Sequence, residues 1–289
     1  MKRNKGVLSG ILAYIIWGVL PLYWKTVKNI DSRDLLAYRI IFSCIVLIGA
    51  VLLLGKTKEV IQETKILFKS KSKLAYLLLG VTLISANWLL FITTVNAGNT
   101  LDASLGYYIN PILSVILGIY LLKEKASHFI LVAAGFGMAG VILLSIYTGH
   151  IPLNALLIAG TFGFYGLTKK KTTISSLTSL FWETLLLSPI AWYYLHFYAE
   201  TSYFTYPVSE QFLLLVSGIL TVIPLFLFSI ANKNSDYVTL GFIQYIGPSI
   251  MLFLAIFIFG EHFSTIQLLG FVLIWTGIGI YLWFTKKEE

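Results

Sequence analysis

Long apolar runs alternate with short polar interruptions along the whole chain, and this pattern predicts the architecture before any motif is read. The runs lie at about Val7–Trp24, Leu35–Leu54, Leu74–Thr94, Leu101–Leu122, Phe129–Tyr147, Leu153–Thr168, Leu177–Tyr198, Phe212–Ala231, Tyr237–Phe259 and Ile266–Phe284. A hydrocarbon core about 30 Å thick needs roughly 20 apolar residues per helical span, so each run is long enough to cross. Within them Gly and Pro are frequent, and no alternation of period two appears. Helices fit that pattern and a porin-like barrel does not. The expectation is an all-α polytopic membrane protein with ten transmembrane helices.

The runs repeat. Tyr108-Ile109-Asn110-Pro111 is followed thirteen residues after its proline by Glu124, and Tyr245-Ile246-Gly247-Pro248 is followed thirteen after its proline by Glu261. The offset of 137 residues also superimposes Leu90-Phe91 on Leu227-Phe228 and Gly140 on Gly277. Two five-helix repeats follow, residues 1–148 and 149–289, joined around Gly149-His150-Ile151-Pro152. An odd number of spans per repeat turns the second upside down relative to the first, the architecture of many secondary transporters.

Composition makes a membrane unavoidable. Of 289 residues, 57% are hydrophobic and 12% charged, with a mean hydropathy of +0.84. A soluble fold of this size could not hide so much apolar surface. Charge then orients the spans, since Lys and Arg of short loops are retained on the cytoplasmic side. With both termini inside, all but four of the 21 Lys and Arg fall on inside segments, Lys169, Lys170 and Lys171 among them. The exceptions are Lys25, Lys28 and Arg33 outside and Arg39 within a span. A net charge of +8 is thus an orientation signal with attraction to anionic lipid, and no soluble domain exists to carry nucleic-acid binding. The N-terminal segment lacks a small-x-small cleavage site and runs to Trp24, so it reads as a first span rather than a removed signal. Cys44, the one cysteine, has no partner for a disulfide or metal site. The Lys-rich stretch Gly55–Lys73 reads as a cytoplasmic loop, either plainly solvated or carrying an amphipathic surface helix.

Certain residues then point to a family. Trp17-Gly18 in the first span, Tyr38-Arg39 in the second, Asn87-Trp88 in the third and Leu105-Gly106-Tyr107-Tyr108-Ile109-Asn110-Pro111 with Glu124 in the fourth resemble the EamA group of the drug/metabolite transporter superfamily. Phe164-Tyr165-Gly166-Leu167 and the segment Gly241 to Pro248 are similar to one bacterial branch of that group, and the similarity runs nearly end to end. The resemblance implies a multi-pass permease of the bacterial inner membrane.

Charges inside hydrocarbon are costly unless they face a cavity or a partner. Arg39 lies about four residues into its span, near 6 Å deep at about 1.5 Å per residue, where it could snorkel to the headgroups or face a central path. Glu183 lies about 9 Å deep by the same measure, too far for its short stem to snorkel. It reads either as a coupling carboxylate that exchanges protons or cationic substrate, or as a protonated structural residue bonded to a neighbouring helix. Some 15 Å of vertical separation argues against an Arg39–Glu183 pair.

The paired proline segments form a second constellation. Pro111 and Pro248 lack backbone donors and are expected to bend their helices and free carbonyls for a polar ligand. Tyr108, Asn110, Gln244 and Tyr245 lie within a turn of those bends, and Asn87 and Trp88 add similar chemistry. Tyr14, Trp17 and Tyr165 could line the same cavity. For any one tyrosine, helix packing or an interfacial belt is the plainer alternative. Glu124 and Glu261 sit at span ends and read as caps or partners of loop lysines. Gly135, Gly140, Gly270 and Gly277 allow close helix approach, either at a homodimer surface or at the back of each half.

Three function classes are open to such a chain. A secondary transporter is favoured by the repeat and the mid-membrane polar residues. An intramembrane enzyme is disfavoured by the lack of HExxH and GxSxG, with His128, His150, His196 and His262 all at span ends or in loops. A channel or scaffold lacks a pore-lining charge ring. The reading is a permease exporting small organic molecules, with no cofactor or metal, coupled through protons or membrane potential.

Overall fold

The computed structural model describes residues 2–97, 99–147, 153–199, 201–260 and 264–288. All regular structure among them is helical: α1 (Lys2–Thr26), α2 (Ser32–Leu53), α3 (Thr57–Phe68), α4 (Lys71–Asn96), α5 (Thr100–Tyr120), α6 (His128–Tyr147), α7 (Leu153–Lys171), α8 (Ser176–Phe197), α9 (Val208–Asn234), α10 (Tyr237–Gln244), α11 (Ile246–Phe257) and α12 (Thr265–Glu288). Eight helical stretches among the described residues are long and apolar enough to cross a membrane, with α10 and α11 counting as one stretch. α7 and α8 are not among the eight. The segment 149–152 and Glu261, His150 and His262 lie outside the described residues.

Packing runs mainly between helices before residue 148 and helices after it. α1 lies on α9 and α11, α2 on α8 and α9, α4 and α5 on α7, α5 on α10, and α6 on α12. Large side chains such as Leu53, Ile146 and Trp283 remain exposed on the outside, as a lipid solvent allows.

The α6–α12 pair is antiparallel and held by glycines. Phe129 stacks on Phe284 with ring centroids 3.6 Å apart at one end. A Cβ on Gly277 would lie 2.5 Å from the Ala133 carbonyl oxygen, and one on Gly140 would lie 2.6 Å from that of Gly270. These glycines are therefore spent within the chain. Gly135 faces open space and takes no part.

Two acidic side chains tie helix N-termini together at the lysine-rich end. Lys123 adopts a left-handed φ of 55°, and the Glu124 N–H donates back to the Gly118 carbonyl at 3.0 Å. That turn aims Glu124 at the start of α10, where its carboxylate accepts from the Tyr237 and Val238 N–H groups at 2.8 and 2.9 Å. Lys170 approaches the same carboxylate at 3.3 Å. Glu63 of α3 likewise accepts from the Ser175 N–H and hydroxyl at 2.8 and 2.7 Å, at the N-cap of α8. Carboxylates suit the partial positive charge of a helix N-terminus. The Lys-rich stretch thus does carry a surface helix, and it docks on α8, with Trp182 donating to Thr64 at 2.9 Å.

Gly277→Ala forces α12 off α6 and is expected to cost about 1–3 kcal/mol, the range for overpacking a tight contact. Gly279→Ala, whose added methyl meets nothing within 4 Å, is expected to leave stability unchanged or slightly raised. Thermal unfolding of the detergent-solubilised variants checks the contrast; equal melting temperatures would remove the glycine contact from the account of this pair.

Candidate functional site

A cavity of about 620 Å³ lies between the two sets of helices. α1, α2, α4, α5 and α6 line it from one side, and α7, α9, α10, α11 and α12 from the other. Its rim carries the exposed residues Lys28 and Asn96, which places the mouth at the α1–α2 end. The opposite end is filled where α5 meets α10. A Cβ on Gly241 would lie 2.8 Å from the Pro111 carbonyl oxygen, and one on Gly118 would lie 3.0 Å from the Val238 nitrogen. Beyond that contact sits the Glu124 cap.

The sequence candidates divide between the cavity and its surroundings. Tyr14, Trp17, Arg39, Asn87, Trp88, Tyr108, Asn110, Gln244 and Pro248 line the cavity. Tyr165, Glu183, Pro111 and Tyr245 are not on its wall. Tyr245 is 2% exposed and packs with Leu105, Ile112 and Val141 on the α5–α6 side. The two prolines also differ. α5 runs through Pro111 without interruption, whereas the second copy breaks at Tyr245, and Pro248 falls in the first turn of α11. A missing N–H is cheap there because first-turn donors lack intrahelical partners anyway.

The polar groups on the wall are partly committed. Both amide hydrogens of Asn87 are used, donating to the Ile158 carbonyl at 2.8 Å and the Thr161 hydroxyl at 3.0 Å. Only its carbonyl oxygen is left for a guest. Asn110 donates to Gln244 at 2.5 Å, and Gln244 donates to Ser114 at 2.8 Å, a bridge between α5 and α10. The Asn110 Oδ1 and the Tyr14 hydroxyl are buried without a hydrogen-bond partner, an arrangement that costs free energy unless something else satisfies them.

Arg39 is the half-buried charge in this wall, with Lys28 exposed at the rim. Its Nε donates to the Thr221 hydroxyl at 3.1 Å, and that hydroxyl donates onward to the Ser217 carbonyl at 2.8 Å. The guanidinium lies 5.0 Å from the Trp24 ring centroid and 5.5 Å from that of Trp88, within cation–π range. No described acidic side chain pairs with it. Asp34, one turn earlier on α2, instead accepts from the Tyr194 and Tyr206 hydroxyls at 3.0 and 3.2 Å. Burial and the Asp34 charge push the Tyr206 hydroxyl, on the loop before α9, up to about 12.

Glu183 sits elsewhere and has company. α7 extends past the expected span end at Thr168, which brings Lys169 inside the bundle rather than into the loop assigned to it above. Lys169 is 1% exposed and ion-paired with Glu183 Oε1. Ser179 donates to the same oxygen at 3.0 Å, and the Tyr165 hydroxyl donates to Oε2 at 2.9 Å. Tyr165 and Lys169 are four residues apart on α7, so one helix face delivers both to the carboxylate. That spacing was the signal for Lys169 in the sequence, masked by its place in a run of three lysines. Tyr107, Trp24, Phe162 and Thr221 also line the cavity and were not singled out; aromatic abundance hides such residues.

Among the described residues no group of three or more His, Cys, Asp or Glu could hold a metal ion. A family model of the EamA-like transporter family matches residues 4–146 and again 151–283. The chain is 40% identical to the Uncharacterized transporter YojE of Bacillus subtilis (strain 168), over 97% of this chain and 94% of that one. It is 34% identical to Protein RarD of Escherichia coli (strain K12), over 97% of this chain and 95% of that one. A solved crystal structure at 20% identity superposes with a TM-score of 0.72, covering 96% of this chain and 97% of that one, which shows a shared fold.

Removing one partner of a buried ion pair strands the other charge, at a cost of about 3–5 kcal/mol, whereas removing both is often nearly neutral. Glu183→Gln and Lys169→Met are each expected to lower stability by that amount, and the double variant to recover most of it. Thermal unfolding of the four proteins checks this; additive losses would mean that the two charges are not coupled.

Proposed function

The chain belongs to the EamA-like transporter family, and from that premise we propose that it is a secondary-active permease exporting small organic molecules across the bacterial plasma membrane by alternating access. One observation carries the reading: a cavity between the helices before and after residue 148, with a mouth at one end and a filled seam at the other. A carrier caught with one gate open has that shape.

Several features support ten spans in two inverted halves. α7 and α8, at 19 and 22 residues, are long enough to cross, and the Lys169–Glu183 pair neutralises the charges that lower their hydropathy. The family model matches twice, and α5–α10 and α6–α12 both pack antiparallel across the junction between the matches. Lys123, Lys125, Lys170, Lys171 and Lys233 cluster at the filled end, so retention of positive charge puts that end in the cytoplasm, with both termini, and the mouth outside. Glu124 on α10 and Glu63 on α8 would then be the ties that must release for the cavity to open inward.

The substrate-contacting set is assigned to Tyr14, Trp17, Arg39, Asn87, Trp88, Tyr108, Asn110 and Gln244, with Pro248 placing the α10–α11 break beside them. Tyr165, Pro111 and Tyr245 support this wall from behind. Proton coupling is assigned to Glu183 with Lys169: a proton delivered to the carboxylate would dissolve the ion pair and loosen α7 from α8.

Reconstitution tests the reading directly. Proteoliposomes loaded with a bacterial metabolite extract should release particular solutes faster than protein-free vesicles, as followed by mass spectrometry. In a Cys44→Ala background, Met251→Cys on the cavity wall should react with an impermeant thiol reagent in intact cells, and the reaction should lower release at least about tenfold. The Lys169→Met/Glu183→Gln variant should retain solute exchange but lose acceleration by a pH gradient. Release no faster than from empty vesicles would sink the export reading, and undiminished pH acceleration would remove coupling from this pair.

A further inference from the structure

We propose that the cavity selects organic anions, gripping a carboxylate on Arg39 with a flat apolar body held between aromatic side chains. The proposal rests on the cavity being the substrate site and adds the class of molecule it takes.

Charge comes first. Of the described residues lining the cavity, Lys28 and Arg39 are charged and none is acidic. Among the described residues a cationic guest would meet two like charges and no counter-ion, in a space whose low-dielectric walls strengthen that repulsion. An anion meets the opposite field.

Geometry comes second. A guanidinium carries five N–H donors in a rigid fork, and Arg39 commits one of them, Nε, to Thr221. Among the described residues its terminal nitrogens have no hydrogen-bond acceptor. The Trp24 and Trp88 rings compensate part of the charge from its faces but accept nothing along its edge. That edge matches the two oxygens of a carboxylate, which the fork binds in parallel. Thr221 fixes the fork's rotation, so the orientation is built before a guest arrives.

The rest of the wall describes the body. Trp17, Phe91, Tyr107 and Phe162 present ring surfaces, and the volume of about 620 Å³ is in the range of small-molecule pockets.

Three probes sharing one ring isolate the charge: 4-nitrobenzoate, 4-nitrobenzamide and 4-nitrobenzylammonium. Nitroaromatics quench indole fluorescence, and Trp24 and Trp88 flank the guanidinium. On the purified full chain, the benzoate should quench saturably with an affinity at least about tenfold tighter than the amide, roughly the worth of one charge-assisted contact. The ammonium should give no saturable quenching. Arg39→Gln should bring the benzoate down to the amide, and Arg39→Lys should restore part of the difference. If Arg39→Gln does not fold, the ranking on the unaltered protein decides alone. An amide equal to the benzoate, an ammonium that binds best, or no saturable quenching by the benzoate overturns the proposal. Equilibrium binding needs no transport cycle, so an anion preference without flux in vesicles would sink export and keep the anion site, and flux without the preference would do the reverse.

Discussion

In hydrocarbon, and at its edges among packed helix ends, a polar group has little water to fall back on, and many of the ties between these helices follow from that. Lys169 has Glu183, with Tyr165 and Ser179 closing the carboxylate's remaining positions. Asp34 has two tyrosine hydroxyls. Glu124 and Glu63 have helix N-termini, whose exposed N–H groups are themselves in need of acceptors. Each of these arrangements ties two helices together while it satisfies a charge. Exceptions remain: buried Tyr14, Asn110, Asn232, Ser235 and Tyr245 each keep an oxygen without a hydrogen-bond partner, and of these only Tyr14 and Asn110 belong to the residues lining the cavity, where the free edge of Arg39 also lies.

Much of the helical plan was legible in the amino-acid pattern because length and apolarity are read residue by residue. The second run, expected at Leu35–Leu54, is the helix Ser32–Leu53. What the pattern missed was set by neighbours. Lys169 looks like a loop lysine until α8 places Glu183 opposite it, and only the spacing to Tyr165 hinted otherwise. Gly135 has the same spacing logic as Gly140 yet faces open space, since which face of α6 meets α12 is decided by the partner. The break at Tyr245 could not be told from the unbroken passage through Pro111, although the two tetrapeptides are near copies. Tyr108 and Tyr245 occupy matching sequence positions, but one lines the cavity and the other is packed against α6. A molecule with one end open and the other filled places matched segments in different surroundings, and sequence equivalence carries no information about which copy is in which.

The candidate site was legible in kind more than in membership. Tyrosines, amides and Asn87-Trp88 were expected near a central path and most of them line it. Their roles are narrower than residue type suggests, because hydrogen bonds to α7 and between α5 and α10 already occupy Asn87, Asn110 and Gln244 in part. A polar residue beside a cavity is as often a fastener of the wall as a hand for the guest, and hydrogen-bond partners separate the two.

The open edge of Arg39 has an electrical consequence. Lys28 is exposed at the rim, so Arg39 is the charge held within the wall, and under the proposed anion site a bound monoanion would cancel it; the vacant and filled proteins would then differ by one elementary charge inside the bilayer. A charge that crosses the whole membrane potential exchanges about 2.3 kcal/mol per 100 mV, and one that crosses part of it exchanges the corresponding share. For a carrier with the proposed anion site, cell voltage would act on the resetting of the vacant protein and leave the occupied one nearly untouched, so that the membrane potential would throttle turnover independently of solute supply.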